Sequence, residues 1–353
     1  MTIQDVFAAI AVLFNGIPMM IFAMSYGFLA APTAFGFMVG AGGMLLFSSI
    51  LPISIQAGTI ALIGQMGSNL KERLSIALFS GIVMAILGAF GVLHDVMDFA
   101  GVTIIRAMMA GVGIILARVG INMLKSNAFT GGVSLVVALA VWAGTRNLVY
   151  VIGYSVVISA AAHYLKYRKP IEVESQKFQI SLHKPMINVA VIRGTLALAC
   201  LTIGSNIAFG NITAGMARVT PNIDHLTVYS GIANVAAALF GGAPAEAIIS
   251  ATGAAPNPMA AGILLMVFMT IVLLSGLLPK IARYVPMQSI AGFLFVIGAI
   301  VTVPSNAALA FGAATGSEVL VSGITLTVTA LTDPFLGLVA GLLMRGAAAL
   351  FGF

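Results

Sequence analysis

Charge is scarce in this chain. Sixteen Lys and Arg and ten Asp and Glu make up only 7% of its 353 residues. Soluble domains carry about 25%, so a water-soluble globule is excluded. There is one Cys, which rules out an intramolecular disulfide framework and a Cys-based metal cluster. Neither a His/Cys cluster with metal spacing nor a phosphate-cradling GxxxxGK[ST] loop occurs, and no nucleophile–base pair stands out. The sequence therefore implies no cofactor, no ATP-driven step and no enzyme. The net charge of +6 is not gathered into basic runs with interleaved aromatics, so no nucleic-acid partner is expected. The opening MTIQDVFAAI has no basic n-region and reads as a retained span rather than a cleaved signal.

What is abundant is apolar sequence, 60% of the chain. Its solvent is mostly lipid, which makes it a multi-pass protein of the cell membrane. Taking about 20 apolar residues per crossing, spans fall near 6–25, 29–51, 74–92, 100–123, 131–145, 147–165, 186–209, 224–240, 258–278, 284–303, 317–331 and 334–352. Two further stretches, 52–66 and 243–255, are too short and too rich in Gly and Pro to cross alone. Each is the third apolar segment of its half and opens at a proline, LPISIQAGTIALIG and GGAPAEAIISATG.

The fold class is thus an all-α polytopic membrane protein of 14 segments, with segments 3 and 10 as interrupted half-helices. Seven segments per half is odd, so the second copy enters from the opposite face and the repeat is inverted. Residues 1–166 form the first repeat, 167–184 a polar linker and 185–353 the second repeat. Loosely matching stretches support this, such as VLHDVMDF beside LLPKIARY. Interrupted segments at matching places in two halves point to a transporter site at mid-membrane.

Ten of the sixteen basic residues (Lys71, Arg73, Lys125, Lys166, Arg168, Lys169, Lys177, Lys184, Lys280 and Arg283) lie in the loops after segments 3, 5, 7 and 11. That bias puts both termini outside.

The polar groups on the interrupted segments are the candidate ligands. They are Ser54, Gln56 and Thr59 on the first, Glu246 and Ser250 on the second. Helical spacing would put Glu246, Ser250 and Gly253 on one face. Aligning Pro52 with Pro244 makes Ser54 the counterpart of Glu246. An intramembrane carboxylate is costly and by default functional. Burial favours its protonated form, which suits Glu246 as a proton-coupling group. Arg106, Arg118, Arg193 and Arg345 lie near the ends of spans and read as snorkelling. His94, Asp95 and Asp98 read as a solvated loop, and the 19 Met as packing. A passive channel would need a polar stripe along several full spans, whereas polarity here gathers on two interrupted ones.

Three stretches resemble the nucleobase–cation symporter-2 family, the xanthine/uracil permeases. They are IAFGNITAGMARV (207–219), GIANVAAALFGGAPAEAIISATG (231–253) and YVPMQSIAGFLFVIGAIV (284–301). The resemblance implies a core domain (segments 1–4 and 8–11) rocking against a gate domain (5–7 and 12–14), usually in a homodimer. It implies proton-coupled nucleobase transport by alternating access, and an orientation opposite to that of the Lys/Arg bias. It adds Asn206 and Asn211 to the candidate ligands, because their amides both donate and accept. The family's two carboxylates fall at Ile207 and Ser250 in this chain, and Glu246 sits one turn earlier. The 231–249 region is also similar to the sulfate-permease and benzoate-transporter families, which share the fold and carry anions.

Overall fold

The computed structural model describes residues 1–169, 182–312 and 316–351. Most of the linker expected at 167–184, with Lys177, lies outside them. Backbone polar groups in lipid must be satisfied within the segment, and the described residues accordingly fold almost wholly into helices. The first repeat comprises α1 (Ile3–Ser25), α2 (Ala30–Leu46), β1 (Ile53–Ser54), α3 (Ala57–Met66), α4 (Leu70–Phe90), α5 (Leu93–Ala100), α6 (Val102–Ser126), α7 (Ala128–Thr145) and α8 (Leu148–Tyr167). The second comprises α9 (Val189–Ala217), α10 (Ile223–Ala238), β2 (Glu246–Ala247), α11 (Pro258–Leu274), α12 (Leu277–Ala282), α13 (Ala291–Phe295), α14 (Val303–Phe311), α15 (Ser317–Leu331) and α16 (Pro334–Phe351). Among the described residues, eight helices are long and apolar enough to cross a membrane.

The two series follow the same order, with short α5 and α12 at matching places, although α3 has no α-helical counterpart and α13 and α14 together stand where α6 does. The fold is the all-helical inverted repeat expected. Three local readings need correction. Residues 93–100, read as a loop, are the helix α5, on which Asp95 and Asp98 are exposed. The span expected to end at 209 runs on to Ala217, because neutral Asn211 bonds back to the Ile207 carbonyl of its own helix and Thr213 donates its hydroxyl to the Ile248 carbonyl, so neither stops the helix. Segment 10 has no α-helix. After β2 it makes only the 3-10 turn Ala251–Ala254 before Pro256 and Pro258 interrupt it.

Between α13 and α14 the chain winds as a π-helix over Val296–Thr302. Pro304 follows at once; it cannot donate to the carbonyl four residues back, and the wider turn absorbs that loss.

Two sets of helices pack within themselves. Helix α10 packs on α2 and α4, α11 on α1 and α2, and α9 on α3 and α4. In the other set α6 packs on α13, α14 and α15, α7 on α8 and α13, and α15 on α16. The α4–α10 contact is so close that only glycine fits. A Cβ at Gly231 would lie 2.6 Å from both the Ala85 nitrogen and the Gly81 oxygen. These are backbone atoms that cannot swing aside. Gly231→Val is therefore expected to cost at least about 3 kcal/mol, the upper range for overpacking. Thermal unfolding of purified protein would show it as a large fall in the melting midpoint.

Candidate functional site

The two interrupted segments cross as a two-residue antiparallel ladder. Ile53 pairs with Ala247 and Ser54 with Glu246, so the residues that the Pro52/Pro244 alignment makes counterparts meet in space. Extended backbone at this depth needs protein around it, and each segment is braced by the opposite repeat. From α10, Tyr229 donates its hydroxyl to the Leu51 carbonyl. From α2, Thr33 Oγ1 accepts from the Ala243 nitrogen at 2.8 Å.

Glu246 is fully buried. Its Oε1 accepts from Asn234 Nδ2 at 2.7 Å and Thr202 Oγ1 at 3.3 Å, while Oε2 has no partner. Among the described residues no Lys, Arg or His pairs with it. Asn234 also accepts from the Ala245 nitrogen at 2.7 Å, so one side chain fixes both the strand and the carboxylate. Neither Asn234 nor Thr202 stood out in the sequence, since each is a neutral residue on an apolar helix. Asn234→Ala would leave the buried Ala245 N–H unsatisfied, at about 1–3 kcal/mol, and take from Glu246 Oε1 one of its two hydrogen bonds, at about 1 kcal/mol more. A loss of roughly 2–4 kcal/mol is expected in thermal unfolding, whereas Asn234→Leu at the same site should do no better.

On the first segment, Gln56 reaches across the ladder, donating from Nε2 to the Ala247 carbonyl at 2.5 Å. It is the N-cap of α3, yet its side chain makes no capping bond. The first bond into this helix comes from Ile60, to the Gln56 carbonyl. The N–H groups of Ala57, Gly58 and Thr59 thus have no intrahelical partner. Thr59 Oγ1 is buried without a partner, and no hydrogen bond reaches Ser54 Oγ among the described residues. A Cβ at Gly58 would meet only Gln56 Oε1 at 3.6 Å and Leu201 Cδ2 at 3.8 Å, so the space beside that turn is not filled by backbone.

The second segment is built differently. Glu246 lies in a strand and Ser250 in extended backbone, so they do not share a helix face. Ser250 is buried and spent: its nitrogen donates to Thr213 Oγ1 at 3.1 Å and its hydroxyl pairs with Thr252 Oγ1 at 2.7 Å. The crossing therefore presents one helix N-terminus, that of α3, and not two. Asn206 is buried, its Nδ2 donating to Thr227 Oγ1 at 3.1 Å and its Oδ1 unpartnered. Asn211 is exposed and turns back on the Ile207 carbonyl of its own helix, away from the buried cluster. Structure thus brings Ser54, Gln56, Thr59 and Glu246 to the crossing. Asn206 lies buried one turn beyond Thr202, Ser250 is tied up in a turn, and Asn211 lies outside.

All four arginines read as snorkelling have specific partners, the longest contact being that of Arg118 with Gln65 Oε1 at 3.5 Å. Arg106 donates to Asn306 Oδ1 at 3.2 Å, Arg345 to the Ala100 carbonyl at 3.0 Å, and Arg193 forms an ion pair with Asp333. A carbonyl at a helix end or a buried carboxylate competes successfully with water for such a donor.

No family model matches the sequence, and no curated protein matches it. In fold the chain is similar to solved membrane proteins. One is SLC26A9, with a TM-score of 0.72 at 14% identity over 99% of this chain, which spans 65% of that chain's length. A second is the murine Solute Carrier 26 family member A9 anion transporter in its inward-facing state, with a TM-score of 0.71 at 14% identity, covering 99% of this chain and 69% of that one. A third is the transmembrane domain of a cyanobacterial bicarbonate transporter, BicA, with a TM-score of 0.69 at 14% identity, covering 95% of this chain and 97% of that one. At that identity the likeness is one of fold: the chain shares their all-helical polytopic architecture.

Proposed function

We propose that this chain is a secondary-active transporter of small anions, coupled to a proton and working by alternating access. The observation that carries this reading is the uncapped start of α3, whose first N–H groups have no intrahelical partner and whose Thr59 hydroxyl is buried and unpartnered among the described residues. Free N–H groups and the positive end of a helix dipole favour an anion. Among the described residues no Lys or Arg bonds to them, so the site suits a small anion recognised by neutral donors. Two fold neighbours support the reading: one is described as an anion transporter and one as a bicarbonate transporter.

Glu246 fits as the coupling group. It is the ladder partner of Ser54, and a second negative charge nearby would oppose an anion by roughly 1–4 kcal/mol. Protonation of the carboxyl removes that opposition. The core of segments 1–4 and 8–11 would then rock against the gate of segments 5–7 and 12–14, in a chain that acts singly or as a homodimer.

A nucleobase substrate is the weaker reading. It needs carboxamides that both donate and accept, and Asn211 is outside the crossing while Asn206 has spent a donor on Thr227. Reconstituted protein in proteoliposomes separates the two. Uptake of labelled bicarbonate, chloride, sulfate or benzoate that rises with an inward proton gradient is expected. Uptake of xanthine, uracil or guanine with none of those anions would replace this reading with the nucleobase one.

A further inference from the structure

Among the described residues there is a single ion pair, and it joins the two sets of helices. Arg193 Nε donates to Asp333 Oδ2 at 2.6 Å. Arg193 stands near the start of α9, and Asp333 lies in the turn between α15 and α16. The carboxylate is fully buried while the guanidinium is 44% exposed. Asp333 has a second task, because its Oδ1 accepts from the Leu336 nitrogen at 2.9 Å and so caps α16.

The position of this pair is informative. Helix α9 begins a few residues after the 167–184 linker, so Arg193 lies on the face that holds most of the Lys and Arg residues. Segment counting puts the α15–α16 turn on that face too. A second polar contact between the sets lies there: Arg118 donates to Gln65 Oε1, at the far end of α3, at 3.5 Å. On the opposite face the link runs through α5 and contains no ion pair among the described residues. There Asp224 of α10 accepts from the Leu93 nitrogen at 3.4 Å, and Arg345 of α16 donates to the Phe99 and Ala100 carbonyls.

We propose that Arg193 and Asp333 form a latch that holds the Lys/Arg-rich face closed and must part each time that face opens. The proposal rests on the alternating-access reading, but it does not depend on the substrate. A buried carboxylate that loses its cation is strongly disfavoured, so the pair biases the closed state. Once the latch is weakened, the face opens more often.

The test reads accessibility and needs no substrate. Cys200 lies on α9 seven residues beyond Arg193, on the same stripe of the helix, and is half-buried. A second reporter is Ser54→Cys in a Cys200→Ser background. A membrane-impermeant thiol reagent is applied from the Lys/Arg-rich face. Arg193→Ala and Asp333→Asn are expected to speed labelling at one or both reporters roughly tenfold. Arg193→Lys, which keeps a cation, should stay near the parent rate. Asp333→Asn keeps an oxygen for the Leu336 N–H, so its effect reports the lost charge and not a lost cap. Unchanged labelling at both reporters in Arg193→Ala and Asp333→Asn would overturn the latch, as would an Arg193→Lys rate equal to that of Arg193→Ala. If labelling responds as expected but no anion is taken up by proteoliposomes, the latch stands and the anion reading fails.

Discussion

Glu246→Gln is expected to carry anions at close to the parent rate and to lose the ability to concentrate them with a proton gradient. Glutamine keeps the shape and the Oε1 acceptor, so the bonds from Asn234 Nδ2 and Thr202 Oγ1 survive. What disappears is the ionised form. With no charge to neutralise, the carrier can load the anion without first taking a proton, and flux no longer answers to the gradient. Coupling of this kind is reciprocal between the two ligands. At 1–4 kcal/mol of opposition, anion affinity should differ roughly 5- to 1,000-fold between the charged and neutral forms. The accumulation ratio is the quantity to read, in proteoliposomes with and without an inward proton gradient. If Glu246→Gln still concentrates the anion as the parent does, the proton is carried elsewhere. Should the variant bind no anion while remaining folded, the carboxylate is itself a ligand and the substrate is not an anion.

The course of the chain through the membrane was legible because lipid imposes a simple rule. Apolar runs of fixed length must be helices, and the spans expected at 131–145, 147–165 and 317–331 lie within two or three residues of α7, α8 and α15. The two interruptions were legible for the converse reason, since Gly and Pro clusters cannot continue a helix. Hydropathy does not say what replaces the helix. LPISIQAGTIALIG and GGAPAEAIISATG look alike, yet only the first continues as a helix of useful length. In the first, ten residues follow Gln56 without a proline. In the second, Gly253, Pro256 and Pro258 leave room for one 3-10 turn.

The site itself was half legible. A lone carboxylate among apolar residues announces itself, and Glu246 is buried at the ladder. The groups that hold it do not, because Asn234 and Thr202 gain meaning only when α9 and α10 bring them together. Helical spacing misplaced Ser250 because the backbone there is extended. Motif alignment misplaced Asn211 because α9 turns that position outward. The arginines were misjudged for a related reason. Position near a span end is compatible with snorkelling, but a carboxylate 140 residues away in sequence claims Arg193.

Gly58→Leu separates stability from transport, and its two effects should have opposite signs. Gly58 sits in the first turn of α3, and the Cβ of a substituted residue would make only ordinary contacts, at 3.6 and 3.8 Å. Replacing glycine inside a helix by a good helix former is worth about 1 kcal/mol, so the fold should hold or gain. The longer side chain, however, would spread over the free N–H groups of Ala57, Gly58 and Thr59 that the proposed anion needs. Losing one charge-assisted hydrogen bond costs about 1.5–3 kcal/mol, which weakens binding roughly 10- to 100-fold. Gly58→Ala serves as the reference, since one methyl adds the helix preference without covering the turn. The expected pattern is a melting midpoint unchanged or raised in both variants, with uptake kept in Gly58→Ala and nearly abolished in Gly58→Leu. Full uptake by Gly58→Leu would show that the anion does not sit at the start of α3. The crossing would then be a structural brace, with the path for substrate elsewhere in the fold.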